Sequence, residues 1–228
     1  MEHATHDALG ILGGTFDPIH YGHLELARDV QAALPLAALR LIPAGAPPHR
    51  EPPIASAVHR LEMARLGAAD YPGLEVDDRE VTRSGPSYTV ISLESLRSEA
   101  PDRPLALVVG ADALAGLPQW HRWRDIFELA HIIAVARPGV ALSGDTMAPE
   151  LAREWQRRHT GDSQSLSRRP AGSIVVQPIT AHPISASAIR AALARGPDGA
   201  AAVAGLLPPS VLAYIERNQL YRTRPDAT

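Results

Sequence analysis

The sequence predicts an α/β protein, a parallel β-sheet covered by helices on both faces. Short apolar segments typical of buried strands, as over residues 8–13, 104–110 and 131–136, alternate with stretches of helical periodicity. The chain has 228 residues, of which 45% are hydrophobic, so it is long enough to bury a core as one domain. Ligands of such sheets bind at the carboxyl ends of the strands, so functional residues are expected directly after strands.

The first part of the chain shows this alternation clearly. The strand over 8–13 ends in two glycines, and apolar residues then recur at helical spacing over 22–34 until a proline ends the helix. A second strand is predicted over 39–43, followed by a proline-rich loop over 46–53 and a helix over 55–69.

The second part continues the pattern with one interruption. After a helix over 89–98 come, in order, a strand over 104–110, short helices over 112–117 and 125–130, and a strand over 131–136. Segment 139–172 is polar and rich in arginine, and it is interpreted as a surface excursion with one helix over 149–159.

The last elements predict a strand over 173–177 and helices over 185–194 and 209–217. The resulting domain spans residues 8–222 and has a C-terminal helical portion. Residues 1–7 and 223–228 are expected to be flexible termini.

Composition excludes several classes of chemistry. The formal net charge of -3 gives the chain no general attraction to nucleic acid or to an anionic membrane. There is no cysteine, so disulfides, thiolate catalysis and sulfur-based metal sites are excluded. Every basic residue is arginine, which excludes a Walker-type phosphate loop and Schiff-base chemistry because both need lysine. The sequence begins without a basic segment followed by a long apolar run, and its apolar runs are too short to span a bilayer. We therefore expect a cytoplasmic protein.

The first strand leads into the motif Gly-Gly-Thr-Phe-Asp-Pro-Ile-His-Tyr-Gly-His at 13–23. Glycines let a backbone approach an anion closely, and the following helix presents N–H groups and a positive dipole end. His20 and His23 can then point towards the same phosphate. Taken alone, a histidine at a helix start is more often a cap or a surface residue, and Asp17 before Pro18 is equally well explained as a turn residue.

A second motif, Ile-Ser-Ala-Ser-Ala-Ile-Arg, occupies 184–190. It places the hydroxyls of Ser185 and Ser187 at the start of a helix, with Arg190 one turn further on. Ser185 has a structural interpretation as the N-cap of this helix. The functional interpretation is that the helix N-terminus and Arg190 neutralise a polyphosphate.

Together the two motifs resemble the paired signatures of the HxGH nucleotidyltransferase superfamily, and in detail those of the bacterial nicotinate-nucleotide adenylyltransferases. The resemblance extends from Leu9 to Arg222 and includes the stretches Pro-Pro-His-Arg at 47–50, Ser-Tyr-Thr at 87–89, Gly-Ala-Asp at 110–112, Trp120 and Arg-Pro-Gly at 137–139. It implies a Rossmann-like parallel sheet. Ser187 stands where the family often has threonine.

The resemblance also implies roles for individual residues. The catalytic set would be His20, His23 and Arg190. The ATP site would be formed by Gly13, Gly14, Thr15, Phe16, Gly110, Asp112, Ser185 and Ser187. The site for nicotinate mononucleotide would be formed by His49, Thr89, Trp120, His121 and Arg137. From the residues alone, Trp120 is better explained by interior packing and Thr89 as a helix N-cap.

The implied reaction joins ATP and nicotinate mononucleotide into deamido-NAD and pyrophosphate, without a covalent enzyme intermediate. Mg²⁺ would arrive on the ATP phosphates, since the sequence shows no dedicated metal site. No nucleic-acid, membrane or protein partner is indicated. Two alternatives stay open: a related adenylyl- or cytidylyltransferase for another substrate, such as phosphopantetheine, and a non-catalytic nucleotide-binding regulator. The Ser-Tyr-Thr stretch and Trp120 favour a pyridine nucleotide, and the retained histidines and Arg190 favour an enzyme.

Overall fold

The computed structural model describes residues 7–48, 52–136, 142–180 and 182–222. The strands within these ranges form one sheet and are β1 (Ala8–Gly14), β2 (Leu36–Pro43), β3 (Leu74–Val76), β4 (Leu105–Gly110), β5 (His131–Ala136) and β6 (Ile174–Pro178). Their order across the sheet is β3-β2-β1-β4-β5-β6, and every neighbouring pair is parallel. The predicted parallel sheet is confirmed.

The described helices cover both faces of this sheet. They are α1 (Tyr21–Ala33), α2 (Ala57–Ala68), α3 (Arg79–Thr82), α4 (Thr89–Glu99), α5 (Ala111–Ala115), α6 (Ile126–Leu129), α7 (Pro149–Arg158), α8 (Ser165–Arg168), α9 (Ala186–Leu193), α10 (Pro197–Val203) and α11 (Pro209–Arg217). One apolar core contains side chains of α1, α2, α9 and α11, and a second contains those of α4, α6 and α7. These layers give the Rossmann-like α/β architecture with a C-terminal helical portion.

Several short elements do not appear in the sequence-based prediction. Strand β3 has only three residues, Leu74–Val76, which is too short a run for an apolar pattern to be recognised. Helices α3 and α8 have four residues each, and α10 follows a glycine in an alanine-rich stretch without clear periodicity. Strand β2 begins at Leu36, three residues earlier than predicted. The predicted flexible termini lie, except for residue 7, outside the described residues.

Segment 139–172, described from residue 142 onwards, contains the predicted helix as α7, but it is not wholly the surface excursion that its polar composition suggests. Helix α7 buries Leu151 and Trp155 against the core that contains α4 and α6, and Leu166 of α8 is buried in the opposite core. The buried apolar residues of α7 lie on one narrow side of a mostly polar helix, so its composition understates how much apolar surface it covers. Part of this segment therefore belongs to the body of the domain.

The sheet order determines where a ligand can bind. Strands β1 and β4 are neighbours although they are far apart in sequence, and this reversal of strand order opens a crevice at their carboxyl ends. The glycine-rich motif follows β1 and the Gly-Ala-Asp stretch follows β4. Within the described ranges, no helix has both the length and the apolar character required to cross a bilayer.

Candidate active site

The loop after β1 is packed too tightly to accept a side chain at Gly14. A Cβ atom there would lie 2.6 Å from Cε1 of Phe16, whose ring is 2% exposed and whose backbone has a positive φ of 49°. Phe16 therefore turns the chain back over Gly14 and directs the following residues towards α1. The predicted glycine-rich turn is present, and Gly14 is needed for the close approach of Phe16.

The two histidines of the motif lie side by side at the start of α1. Their ring centroids are 3.8 Å apart, the planes differ by 24°, and the His23 ring also meets the edge of Phe16. His20 is the N-cap residue of α1, but its side chain makes no capping hydrogen bond. The Nδ1 atoms of both rings are buried without a hydrogen-bond partner among the described residues. A structural cap would have been satisfied, so capping does not explain the position of the His20 ring.

Burial keeps both rings neutral. Loss of solvation lowers the pKa of His20 to about 4, and loss of solvation together with repulsion from His20 lowers the pKa of His23 to about 3. At neutral pH each ring presents one N–H and one lone pair. An incoming phosphate would favour the protonated form of these rings, because an adjacent anion raises the pKa of an imidazole.

These pKa shifts predict a pH-dependent stability. Between pH 6.5 and the folded pKa values of about 4 and 3, the unfolded chain binds more protons than the folded protein. The free energy of unfolding should therefore decrease as the pH falls through this window, by up to about 1.4 kcal/mol per pH unit for each histidine. Denaturant titrations of the ligand-free protein should show a smaller decrease for a His20→Gln, His23→Gln double variant. Equal pH profiles for parent and variant would contradict buried neutral rings.

Gly22 leaves room for the His20 ring. A Cβ atom at residue 22 would lie 3.0 Å from Cε1 and Nδ1 of His20 and 3.5 Å from Cβ of Ile184. The glycine between the two histidines is therefore required by their packing rather than by an unusual φ. A methyl group here would press on the ring from the side of α9.

Gly22→Ala should separate activity from stability. Alanine favours a helix over glycine by roughly 0.5–1 kcal/mol, so the melting temperature should not fall. The displaced His20 ring should lower kcat roughly tenfold, because small misplacements of catalytic groups are costly. Turnover and thermal unfolding of the variant check this, with Gly161→Ala as control, since a Cβ there meets nothing within 4 Å. Parental kcat in Gly22→Ala would contradict the packing argument.

The second motif is joined to the first through Arg190. Its Nη1 donates to the backbone oxygen of Asp17 at 2.7 Å, and its Nη2 donates to Oγ of Ser187 at 3.4 Å. Ser185 is the N-cap of α9 and accepts a hydrogen bond from the N–H of Ala188, so its structural interpretation is confirmed. The sequence motifs at 13–23 and 184–190 therefore meet in space.

Asp17 is more than a turn residue. Its buried carboxylate accepts from the backbone N–H groups of Ile54 at 2.8 Å and Ala55 at 3.2 Å, and from the hydroxyl of Tyr221 at 2.6 Å. Burial and this hydrogen bond raise the pKa of Tyr221 above its ordinary value. One side chain thus connects the glycine-rich loop, the start of α2 and the C-terminal segment.

Arg60 supports the same region and was missed in the sequence. It is 1% exposed and donates from Nε to the oxygen of Ala55, from Nη1 to that of Thr15 and from Nη2 to that of Gly45. Its guanidinium therefore joins three separate backbone segments around the loop after β1. The sequence offered one signal for burial of Arg60, since it lies on the same side of the predicted helix as the apolar Met63.

A cleft of about 960 Å³ extends from the histidine pair along the carboxyl edge of the sheet. The sequence-predicted residues that line it are His20, His23, Gly110, Asp112 and Trp120. Trp120 contributes to this wall and also packs against the core that contains α4 and α6. Packing and ligand contact are thus compatible at this residue.

Thr89 and the Trp120 segment approach each other through a ring contact. Tyr88 and His121 stack with centroids 4.3 Å apart. Thr89 is the first residue of α4 and Tyr88 occupies the N-cap position, so the interpretation of Thr89 as an N-cap is wrong. After Trp120 and His121 the chain continues in turns to residue 125, Arg122 has a positive φ of 51°, and α6 begins at Ile126.

The two remaining predicted contacts, His49 and Arg137, lie outside the described residues. Two residues that were not anticipated join the site: Tyr221, through its bond to Asp17, and His182, which lines the cleft. Neither lies in a pattern that sequence reasoning could interpret. Their participation depends on which segments the fold brings together.

Comparison with known proteins agrees with this geometry. Residues 11–192 match the cytidylyltransferase-like family. A probable nicotinate-nucleotide adenylyltransferase of Laribacter hongkongensis is 47% identical over 96% of this chain and 97% of its own length. One from Acidithiobacillus ferrooxidans is 46% identical over 98% of this chain and 100% of its own.

Solved structures share the fold at low sequence identity. A Plasmodium falciparum nicotinic acid mononucleotide adenylyltransferase complexed with NaAD has a TM-score of 0.70 at 17% identity, covering 95% of this chain and 98% of its own. A putative Vibrio parahaemolyticus nicotinate-nucleotide adenylyltransferase has a TM-score of 0.61 at 15% identity, covering 96% and 98%. The motifs at 13–23 and 184–190 meet in space, and relatives that match over nearly their full length are more than 40% identical. This chain therefore belongs to the nicotinate-nucleotide adenylyltransferase family of cytidylyltransferase-like enzymes.

Proposed function

We propose that this enzyme transfers the adenylyl group of ATP to nicotinate mononucleotide, producing deamido-NAD and pyrophosphate for NAD biosynthesis. The observation that carries the proposal is the stacked histidine pair with unpartnered Nδ1 atoms, at a helix start in a cleft that also contains Trp120. Membership of the adenylyltransferase family supports the same substrates.

In the proposed reaction an oxygen of the mononucleotide 5'-phosphate attacks the α-phosphorus of ATP in line. A new P–O bond forms, the bond to the oxygen bridging the α- and β-phosphorus breaks, and pyrophosphate leaves with that oxygen. Both reactants are anions, so catalysis depends on positioning and on stabilising negative charge. Neutral imidazole N–H groups, a helix N-terminus and a guanidinium are suited to both tasks.

The proposed ATP side of the site combines both motifs. His20 and His23 would donate to the α-phosphate region, and Arg190 with the start of α9 would bind the β- and γ-phosphates. The hydrogen bond from Arg190 to the Asp17 backbone orients its guanidinium and leaves further N–H donors available. Gly13, Gly14, Thr15, Phe16, Gly110, Asp112, Ser185 and Ser187 would complete this side.

The proposed mononucleotide side lies around Trp120. The indole would stack on the pyridine ring. Thr89 and His121 would lie beside that ring, and the stacking of Tyr88 on His121 links their two segments. Thr89 opens a helix of 11 residues, whose N-terminus favours a carboxylate. His49 and Arg137 are proposed phosphate contacts of the same substrate.

Mg²⁺ is proposed to enter with ATP. Among the described residues no three His, Asp or Glu side chains come together as a metal site, so the ion would be held by phosphate oxygens and water. When bound, it would neutralise phosphate charge. We further propose a cytoplasmic location, since both substrates are small metabolites of that compartment.

A product assay tests the function. The purified protein is incubated with MgATP and either nicotinate mononucleotide or phosphopantetheine, and a third reaction without an acceptor is the blank. Release of pyrophosphate together with deamido-NAD, only with nicotinate mononucleotide, is the expected result. Product with phosphopantetheine but not with nicotinate mononucleotide would indicate another member of the superfamily. Binding of ATP without any product would indicate a non-catalytic protein.

A further inference from the structure

His182 differs from a structural histidine elsewhere in the chain. In His131, Nδ1 accepts from the backbone N–H of Ser173 at 3.0 Å and Nε2 donates to the oxygen of Arg169 at 2.7 Å, so both nitrogens are satisfied. Nε2 of His182 is buried and has no hydrogen-bond partner among the described residues. The ring lines the same cleft as His20 and His23, whose Nδ1 atoms are also unpartnered.

Two residues shortly before His182 are hydrogen-bonded to other parts of the domain. The N–H of Ile179 donates to Ala136 at 3.1 Å, and the N–H of Thr180 donates to the Asp29 carboxylate at 3.1 Å. On the other side, the N–H of Ile184 donates to the oxygen of His182 at 2.8 Å. Since leaving a buried polar atom unsatisfied is destabilising, the unpartnered Nε2 at the wall of a cleft indicates a missing ligand contact.

The surroundings of His182 indicate the kind of ligand group. Its segment brings Ile179 and Ile184 to the cleft wall, and Val135 lies at the carboxyl end of the neighbouring strand β5. Thr180 also lines this part of the cleft, which is otherwise apolar apart from the imidazole. The proposed phosphate contacts lie instead at the start of α1 and on α9. A mostly apolar slot with one hydroxyl and one imidazole is suited to a flat heteroaromatic base rather than to a phosphate.

We propose that Nε2 of His182 hydrogen-bonds the edge of the adenine base, which makes His182 a specificity-determining residue for ATP. The inference rests on the proposed function, since it assigns the pyridine ring to Trp120 and the phosphates to His20, His23 and Arg190. The remaining parts of the ATP molecule are its ribose and its base, and of these only the base is a flat heteroaromatic group. A neutral imidazole nitrogen can accept from the 6-amino group or donate to a ring nitrogen, depending on its tautomer.

His182→Phe tests the contact, because it keeps a flat ring and removes both nitrogens. We expect the KM for ATP to rise roughly tenfold, while kcat and the KM for the mononucleotide stay within threefold of the parent. His159→Phe is the matched control, since His159 is exposed and stacks on Trp155 away from the cleft. An unchanged KM for ATP, a loss confined to kcat, or equal increases in both KM values would overturn the proposal.

Analogues identify the atom of the base that is contacted. ATP analogues that each lack one polar atom, namely 1-deaza-, 3-deaza- and 7-deaza-ATP and purine riboside triphosphate, are compared in the parent and in His182→Phe. One analogue should show the same KM in both proteins, because its missing atom is the partner of His182. If the KM of every analogue differs between the parent and His182→Phe as much as the KM of ATP does, the base contact is excluded.

Calorimetry separates this inference from the proposed function. ATP is titrated into the parent and into His182→Phe without a mononucleotide, so no turnover is required. A roughly tenfold weaker Kd in the variant supports the contact even if the parent fails to use nicotinate mononucleotide. If the parent makes deamido-NAD but the parent and His182→Phe bind ATP with equal Kd, the role of His182 is overturned and the proposed function stands.

Discussion

Replacing His20 or His23 with alanine is expected to lower kcat by roughly 10² or more. This is the scale of losing one preorganised donor to a developing negative charge. The two rings stack at 3.8 Å, so removing one also releases the other from its orientation. Steady-state turnover at saturating ATP and mononucleotide measures the effect.

Folding should survive both substitutions. The Nδ1 atoms of the two rings have no partners among the described residues, so no hydrogen bond of these atoms is lost. His159→Ala serves as the control and should keep kcat within twofold of the parent. Near-parental kcat in both His20→Ala and His23→Ala, with unchanged melting temperatures, would contradict the catalytic role.

The second large effect is a preference for nicotinate over nicotinamide mononucleotide of about 10² or more in kcat/KM. The substrates differ by a carboxylate against an amide, and stacking on Trp120 does not distinguish them. Hydrogen-bond donors, such as the Thr89 hydroxyl and the N–H groups at the start of α4, do distinguish them. A charge-assisted hydrogen bond to a carboxylate is about twice as strong as a neutral one. The NH₂ of the amide would face donors and leave them unpaired, at roughly 1 to 3 kcal/mol each.

Two variants assign this preference to its source. Thr89→Val should reduce the preference, mainly by weakening the acid substrate, because the hydroxyl at the start of α4 is lost. Trp120→Ala should weaken both substrates by similar factors. Measurements of kcat/KM for both mononucleotides with parent and variants decide the matter, and equal use of acid and amide by the parent would contradict acid specificity.

The network around Asp17 explains how distant parts of the chain form one site. Tyr221, near the end of the chain, bonds to the same carboxylate that holds the start of α2, and Arg190 bonds to the backbone of the same residue. The fixed loop after β1 is therefore an outcome of contacts from three separate segments. Such preorganisation is what stabilisation of transferred phosphoryl groups requires.

The sequence alone determined the elements with a long apolar or periodic signal. The parallel sheet, the helices α1, α2, α4 and α11, and the two motifs that meet at the histidine pair follow from local patterns. Ser185 as the N-cap of α9 also follows from its local position. The short strand β3 and the buried side of α7 do not, because three residues or a mostly polar helix give little apolar signal.

Only the tertiary structure decided which polar side chains have hydrogen-bond partners. Asp17 was as consistent with a turn as with a site, and its bonds to Tyr221 and to the start of α2 exist only in the fold. The unpartnered nitrogens of His20, His23 and His182 are visible only when their surroundings are known. Hydrogen-bond satisfaction depends on neighbours that are distant in sequence, so residue type and spacing cannot determine it.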